Sequence, residues 1–227
     1  MKRAMFAGIM IVFAIDSQAQ DDANRPFAKY SLEAVREIAE RRNPQAFFEL
    51  GRRGDRESIG TLKRMATMTD VPESELNREM PDVSPRVLAQ WKEIKRRDLP
   101  SVNLSARKAL ARLGENPYLD EFISAASAST GAARVDAIRT LGYVGRREVI
   151  PTLARILFER GGPNQTTPYA PRGYMSYSTY AAMSLGEALP EVQKSFRSKH
   201  GGRGWTFMED WKSWWKEHEH EFQKLPK

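Results

Sequence analysis

One segment of this chain occurs twice. The stretch from Ala46 to Leu62 aligns without a gap on Ala137 to Leu153, so that Leu50, Gly51, Gly54, Glu57, Ile59, Thr61 and Leu62 fall on Leu141, Gly142, Gly145, Glu148, Ile150, Thr152 and Leu153. The offset is 91 residues throughout, and Arg64 on Arg155 extends it. A recurrence of this fidelity constrains architecture more than any isolated motif does. A repeated unit must bury its apolar face against neighbours of its own kind.

Each copy reads as a helical hairpin. An Ala followed four residues later by Leu places a small and a large side chain on one helix face, over which a second helix can pack closely. The Gly that follows is expected to end the helix by taking a left-handed backbone without a Cβ clash. Ile and Leu then return on the second helix, with Pro151 near its start, where a missing N–H costs little. Glu57 and Glu148 stand early in those second helices, where a carboxylate stabilises the positive end of the helix dipole. Weaker versions of the pattern occur at Ala109 to Gly114, with Leu119 to Ala128 as partner helix, and at Ala181 to Gly186.

Between and around these units the periodicity predicts further helices. Ser31 is placed to cap Leu32 to Arg42, and Asn43-Pro44 starts the next helix. Met68 to Asp82, broken by Pro72, Pro81 and several acids, reads as a connection with one short turn. Ser84-Pro85 opens a helix in which Val87, Leu88, Trp91 and Ile94 form the expected buried stripe and Lys92, Lys95 and Arg96 the outer face; Leu99-Pro100 is expected to end it. Residues 160–178 form an irregular insertion rich in Gly, Pro and Tyr. The last helix, at about 206–223, carries Phe207, Trp211, Trp214, Trp215, His218 and Phe222 on one broad face, the pattern of a cap that closes the end of a repeat array.

The motif Ala-x-x-x-Leu-Gly-x-x-Gly-x-x-Glu-x-Ile-x-x-Leu at Ala137 to Leu153, echoed at Ala46 to Leu62, resembles the HEAT-like repeats of HEAT repeat proteins and phycobilin lyase subunits. Trp211 to Trp215 is similar to the terminal helix of exported bacterial HEAT-repeat proteins of unassigned function. The resemblance implies an all-α fold, a HEAT-like α-solenoid of antiparallel helix pairs with a concave face and an aromatic C-terminal capping helix. Such folds mostly act as scaffolds for other proteins, although fold alone is a weak warrant for function.

The N-terminus bears on location. Lys2 and Arg3, the apolar run Ala4 to Ile15 and the small residues of Ser17-Gln18-Ala19 match a signal peptide of residues 1–19 cleaved after Ala19. A flexible mature N-terminus at 20–30 and one repeat domain at 31–227 are then expected, in a periplasmic or secreted protein. The absence of Cys removes disulfides and lipid attachment through Cys. Charged residues at 29% and hydrophobic residues at 41% describe a chain that is soluble and still able to form a core.

The balance is basic, +7 with Arg pairs at 41–42, 52–53, 96–97 and 146–147. That suits an anionic partner such as an envelope polymer or lipid surface, and it equally suits Arg solvating the outer faces of helices. Export argues against nucleic acid, and also against the HEAT-like DNA glycosylases whose charge and Trp content this chain shares. A phycobilin lyase role lacks any marked chromophore site.

No catalytic constellation stands out. His200, His218 and His220 are the three histidines; a two-residue spacing sends His218 and His220 to different sides of a helix, so neither a metal nor another cofactor is expected, and His218 is assigned to the packed face. No Gly-x-Ser-x-Gly or phosphate-binding Gly loop occurs. The expected activity is therefore non-enzymatic binding of another protein. Tyr169, Arg172, Tyr174 and Tyr177 of the insertion, with Arg146 and Arg147, are the candidate contact residues, since Tyr and Arg anchor interfaces.

Overall fold

The structure is a computed structural model that describes residues 25–162, 175–202 and 207–223. These residues are helical, with no strand among them. They form two compact units that divide between Ala109 and Leu110.

The described part of the first unit begins with a short lead-in. Arg53 donates to the carbonyls of Phe27, Ala28 and Tyr30 at 2.7, 3.1 and 2.8 Å, and Arg25 pairs with Glu49 at 2.9 Å, so residues 25–30 make defined contacts. Helix α1 (Leu32–Glu40) is capped by Ser31, whose hydroxyl accepts from the Ala34 N–H, and it buries Val35 and Ala39. Asn43 caps α2 (Pro44–Arg53) by accepting from Gln45 and Ala46. Gly54, at φ 68°, stops α2 while Asp55 N–H bonds back to the Leu50 carbonyl. One 3-10 turn at Arg56–Ser58 then leads into α3 (Ile59–Ala66). The connection expected at 68–82 contains a two-turn helix, α4 (Glu73–Glu79), with Leu76 fully buried.

Helix α5 (Pro85–Leu113) corrects two expectations. It is 29 residues long and runs straight through Leu99-Pro100. A mid-helix Pro forfeits one backbone hydrogen bond and costs about 3 kcal/mol or more. Here the side chains on either side of it, Leu99, Val102 and Ala106, are all buried, and burying an aliphatic side chain contributes roughly 1.5–3 kcal/mol. Packing across the Pro outweighs the local defect. The buried stripe also differs: Leu88, Trp91 and Leu99 turn toward Val71, Leu76 and Met68, whereas Val87 and Ile94 are 42% and 47% exposed. The short α4 covers only one side of α5, so the neighbouring apolar positions stay in solvent.

The second unit takes the last turn of α5, closed by Gly114 at φ 91°, and continues with α6 (Asn116–Ala128) and α7 (Gly131–Val144). Gly145 at φ 60° ends α7, a 3-10 turn covers Arg147–Val149, and α8 (Ile150–Leu157) follows. Set back by 91 residues, these boundaries are those of the first copy: Gly54, Arg56–Ser58 and Ile59–Ala66. The repeat in sequence is thus a repeat in backbone.

The glycine of each Leu-Gly step has a different role from the one anticipated at three of the four positions. Gly51, Gly142 and Gly186 lie inside helices; only Gly114 is a terminator. At Gly142 the reason is proximity, since a Cβ there would sit 2.8 Å from the Ser184 Cα of helix α9 (Tyr177–Ala188). Helix α9 packs on α7 and α8, and α10 (Pro190–Lys199) and α11 (Met208–Phe222) follow it.

Candidate interaction surfaces

The six candidate contact residues have unlike placements. Tyr169, Arg172 and Tyr174 lie outside the described residues. Tyr177 is the first residue of α9, which therefore begins inside the expected insertion, and it is only 7% exposed. Its hydroxyl accepts from the Gly131 N–H at 2.8 Å, its own N–H donates to the Gly161 carbonyl at 3.0 Å, and Arg134 lies over its ring at 4.6 Å. These contacts make Tyr177 a clasp of the second unit, turned inward from any partner.

Arg146 and Arg147 have internal work as well. Arg146 pairs with Glu148 at 2.6 Å and packs over Gly114, where a Cβ would collide with its guanidinium. Arg147 lies over the Phe222 ring at 5.1 Å and donates to the Glu221 carbonyl. The other Arg pairs show the same use: Arg42 meets Glu75 and Glu79, Arg53 meets Glu49, and Arg96 meets Asp70. At least one Arg of each pair is therefore engaged with the protein's own acids.

Those acids are held ionised. The Arg36 guanidinium, hydrogen-bonded to Asp55 through two nitrogens, keeps that carboxyl below the usual range, helped by the Ser58 hydroxyl and against its desolvation. Burial pushes Glu49 up, yet Arg25 and Arg53 together bring it below its ordinary value. Burial is likewise the largest influence on Glu79 and on Glu148, overcome by Lys95 in one and by Arg146 in the other. Asp210 is lowered by Lys199 and, after it, by His200, which stacks on Phe207.

The C-terminal aromatics pack against the rest of the second unit. Trp211 is fully buried, with Phe196 and Trp214 edge-on at 4.9 and 5.6 Å, and α11 lies against α8 and α9. His218 is stacked on Trp214 at 4.8 Å and donates from Nδ1 to the Trp214 carbonyl, as expected of a residue on the packed face, while His220 is exposed. Among the described residues no group of three or more acidic or His side chains converges as a metal site, and no helix is long and apolar enough to cross a membrane.

Among the described residues the first unit has several open surfaces, and two of them differ sharply in character. One is a charged cleft of about 780 Å³ lined by Glu37, Glu40, Arg41, Arg78, Glu79 and Lys95, where both signs are balanced. The other is the uncovered side of α5, a shallow, largely apolar depression of about 560 Å³ lined by Arg86, Ala89, Gln90, Glu93, Ile94 and Arg97. Sequence reasoning passed over this face because it assigned Val87 and Ile94 to the core. The only available signal was the weakness of the segment meant to cover them.

No family model, no curated protein and no solved structure matches the chain.

Proposed function

We propose that this chain is an exported, non-enzymatic protein-binding module built on HEAT-like helical hairpins, and that the uncovered side of α5 is its docking face. The observation that carries the reading is the exposure of Val87 and Ile94, at 42% and 47%, on a charged and otherwise soluble helix. Large apolar side chains two turns apart on one exposed helix face, with Arg86, Glu93 and Arg97 around Ile94, are the composition of an interface whose centre excludes solvent and whose edge sets the orientation. The recurrence of one hairpin at residues 46–66 and 137–157 supports the HEAT-like part of the proposal, and the tripartite pattern of residues 1–19 supports export.

The internal pairing of Arg42, Arg53, Arg96 and Arg146 speaks for a protein partner over an anionic polymer or lipid surface, since a guanidinium already on a carboxylate gains little from a second anion. Cross-linked capture from the native host tests the reading. The full-length chain should recover a partner that survives a high-salt wash, and Ile94→Asp should lose it while keeping the helical circular dichroism and melting temperature. Capture that is salt-labile, or indifferent to Ile94→Asp, would count against the face. Sequencing the N-terminus of the recovered chain tests export, with Gln20 expected first.

A further inference from the structure

We propose that the charged cleft of the first unit, lined from α1, α4 and α5, is a binding site for a small α-amino dicarboxylate, the acidic amino acids being the simplest members of that class. The site goes beyond the docking reading and shares no lining residue with the uncovered side of α5. Its volume of about 780 Å³ falls within the span of small-molecule sites, about 300–1,000 Å³.

The signs along the cleft balance, but their commitments do not. Glu40 is taken by Arg64 and by the Thr61 hydroxyl, and Glu79 by Lys95 at 2.8 Å. Glu37, Arg41 and Arg78 are left: all three are exposed, and among the described residues none of them has an ion pair. Glu37 and Arg41 stand four apart at the end of α1, and Arg78 comes from the last turn of α4. Two guanidinium groups and one carboxylate are therefore open to a guest. The complement is a molecule with two carboxylates and one ammonium. Each Arg takes a carboxylate through paired N–H groups, and Glu37 takes the ammonium.

A buried neighbour adds to the pull on anions. The Arg42 side chain is 4% exposed, and its backbone holds φ 62°, a left-handed conformation that residues other than Gly rarely adopt. Its Nη2 reaches Glu75 and Glu79 only at 3.4 and 3.5 Å, while Nε and Nη1 have no hydrogen-bond partner. Glu79 is itself part of the cleft wall. A guanidinium stays charged at any ordinary pH, so Arg42 is a loosely compensated positive charge directly behind that wall. Backbone strain and unmet buried donors concentrate at functional sites. The field of such a charge favours a guest that is negative overall. A dicarboxylate with one ammonium meets that condition, whereas an amino acid with an uncharged side chain is neutral.

Isothermal titration calorimetry of the full-length chain at low ionic strength tests the site. L-Glutamate and L-aspartate should bind. Glutarate, which lacks the ammonium, and L-glutamine, which lacks one carboxylate, should each bind about tenfold or more weaker than glutamate, the loss of one charged hydrogen-bonding group; succinate and L-asparagine serve likewise for aspartate. Arg41→Ala and Arg78→Ala should each weaken glutamate binding by a similar factor. Arg56→Ala removes the same charge from an exposed position in the first 3-10 turn and should change nothing. Glu37→Gln should weaken glutamate and leave glutarate as it was, because only glutamate presents an ammonium. Circular dichroism controls for folding, and the ligand comparisons stand even where a substitution disturbs the helices. Failure of both acidic amino acids to bind at millimolar concentration overturns the proposal. So does equal affinity for glutamate and glutarate, or glutamate binding that Arg41→Ala and Arg78→Ala leave intact.

Discussion

The two copies of the repeated hairpin share a backbone and differ in what fills it. Positions 91 apart carry the same burial: Phe47 and Ile138, Leu50 and Leu141, Leu62 and Leu153, and Met65 and Ile156 are all at 0–1% exposure. Just after the left-handed Gly the copies part company. In the first, Asp55 and Ser58 are buried polar residues tied to each other and to Arg36; in the second the same two positions are Arg146, paired outward with Glu148, and Val149, fully buried. A turn of one geometry can therefore be closed by a polar network or by an apolar plug. The apolar stations fix the register, and the turn chemistry is interchangeable.

The comparison can be broken hardest at the stations that are alike. Leu62→Ala and Leu153→Ala should each cost about 2–5 kcal/mol, the range for a fully buried Leu, and denaturant unfolding followed by a probe in each unit should show matching losses. A loss in only one copy would mean that equal burial conceals unequal packing.

A smaller effect should separate the copies at the turn. Asp55→Ala removes the partner of Arg36 and Ser58 and should cost about 1.5–3 kcal/mol at neutral pH, as for a hydrogen-bonded charge. Because the folded-state value of Asp55 lies below its unfolded one, its contribution is complete above about pH 4 and disappears as pH falls through the lower folded value. The wild-type first unit should accordingly lose stability on acidification faster than the Asp55→Ala variant does. Parallel pH profiles of the two proteins would exclude that role.

The smallest difference concerns helix starts. Asn43 accepts from two backbone N–H groups ahead of α2, whereas Thr130 makes no side-chain cap ahead of α7. Asn43→Ala should cost about 1 kcal/mol. Thr130→Ala should fall near zero, and thermal melts of the pair would show whether the second copy dispenses with its cap.

How far the sequence was legible follows from the same contrast. Ser31 and Asn43-Pro44 could be read because a helix cap depends on one residue and its immediate neighbours, whereas the left-handed helix end expected at Gly51 and Gly142 falls three residues later, at Gly54 and Gly145. Pro100 could not, because the burial that keeps α5 continuous comes from Leu99, Val102 and Ala106 meeting residues distant in sequence. The same long-range decision separates Leu88 and Trp91 from Val87 and Ile94. Both sets keep helical spacing, and only the position of α4 chooses between them. The interior roles of Arg146, Arg147 and Tyr177 were hidden for a related reason. Residue type marks an Arg or Tyr as able to anchor a partner, while its actual partner depends on which helix end lies beside it.

The clasp at Tyr177 has a consequence for how such a chain can change over time. With its N–H on the Gly161 carbonyl and its hydroxyl on the Gly131 N–H, this one residue ties the start of α9 both to the segment that follows α8 and to the start of α7. Three segments far apart in sequence then depend on one aromatic hydroxyl and its backbone, so over time Tyr177 should tolerate replacement less readily than an exposed Tyr of the same chain, such as Tyr30.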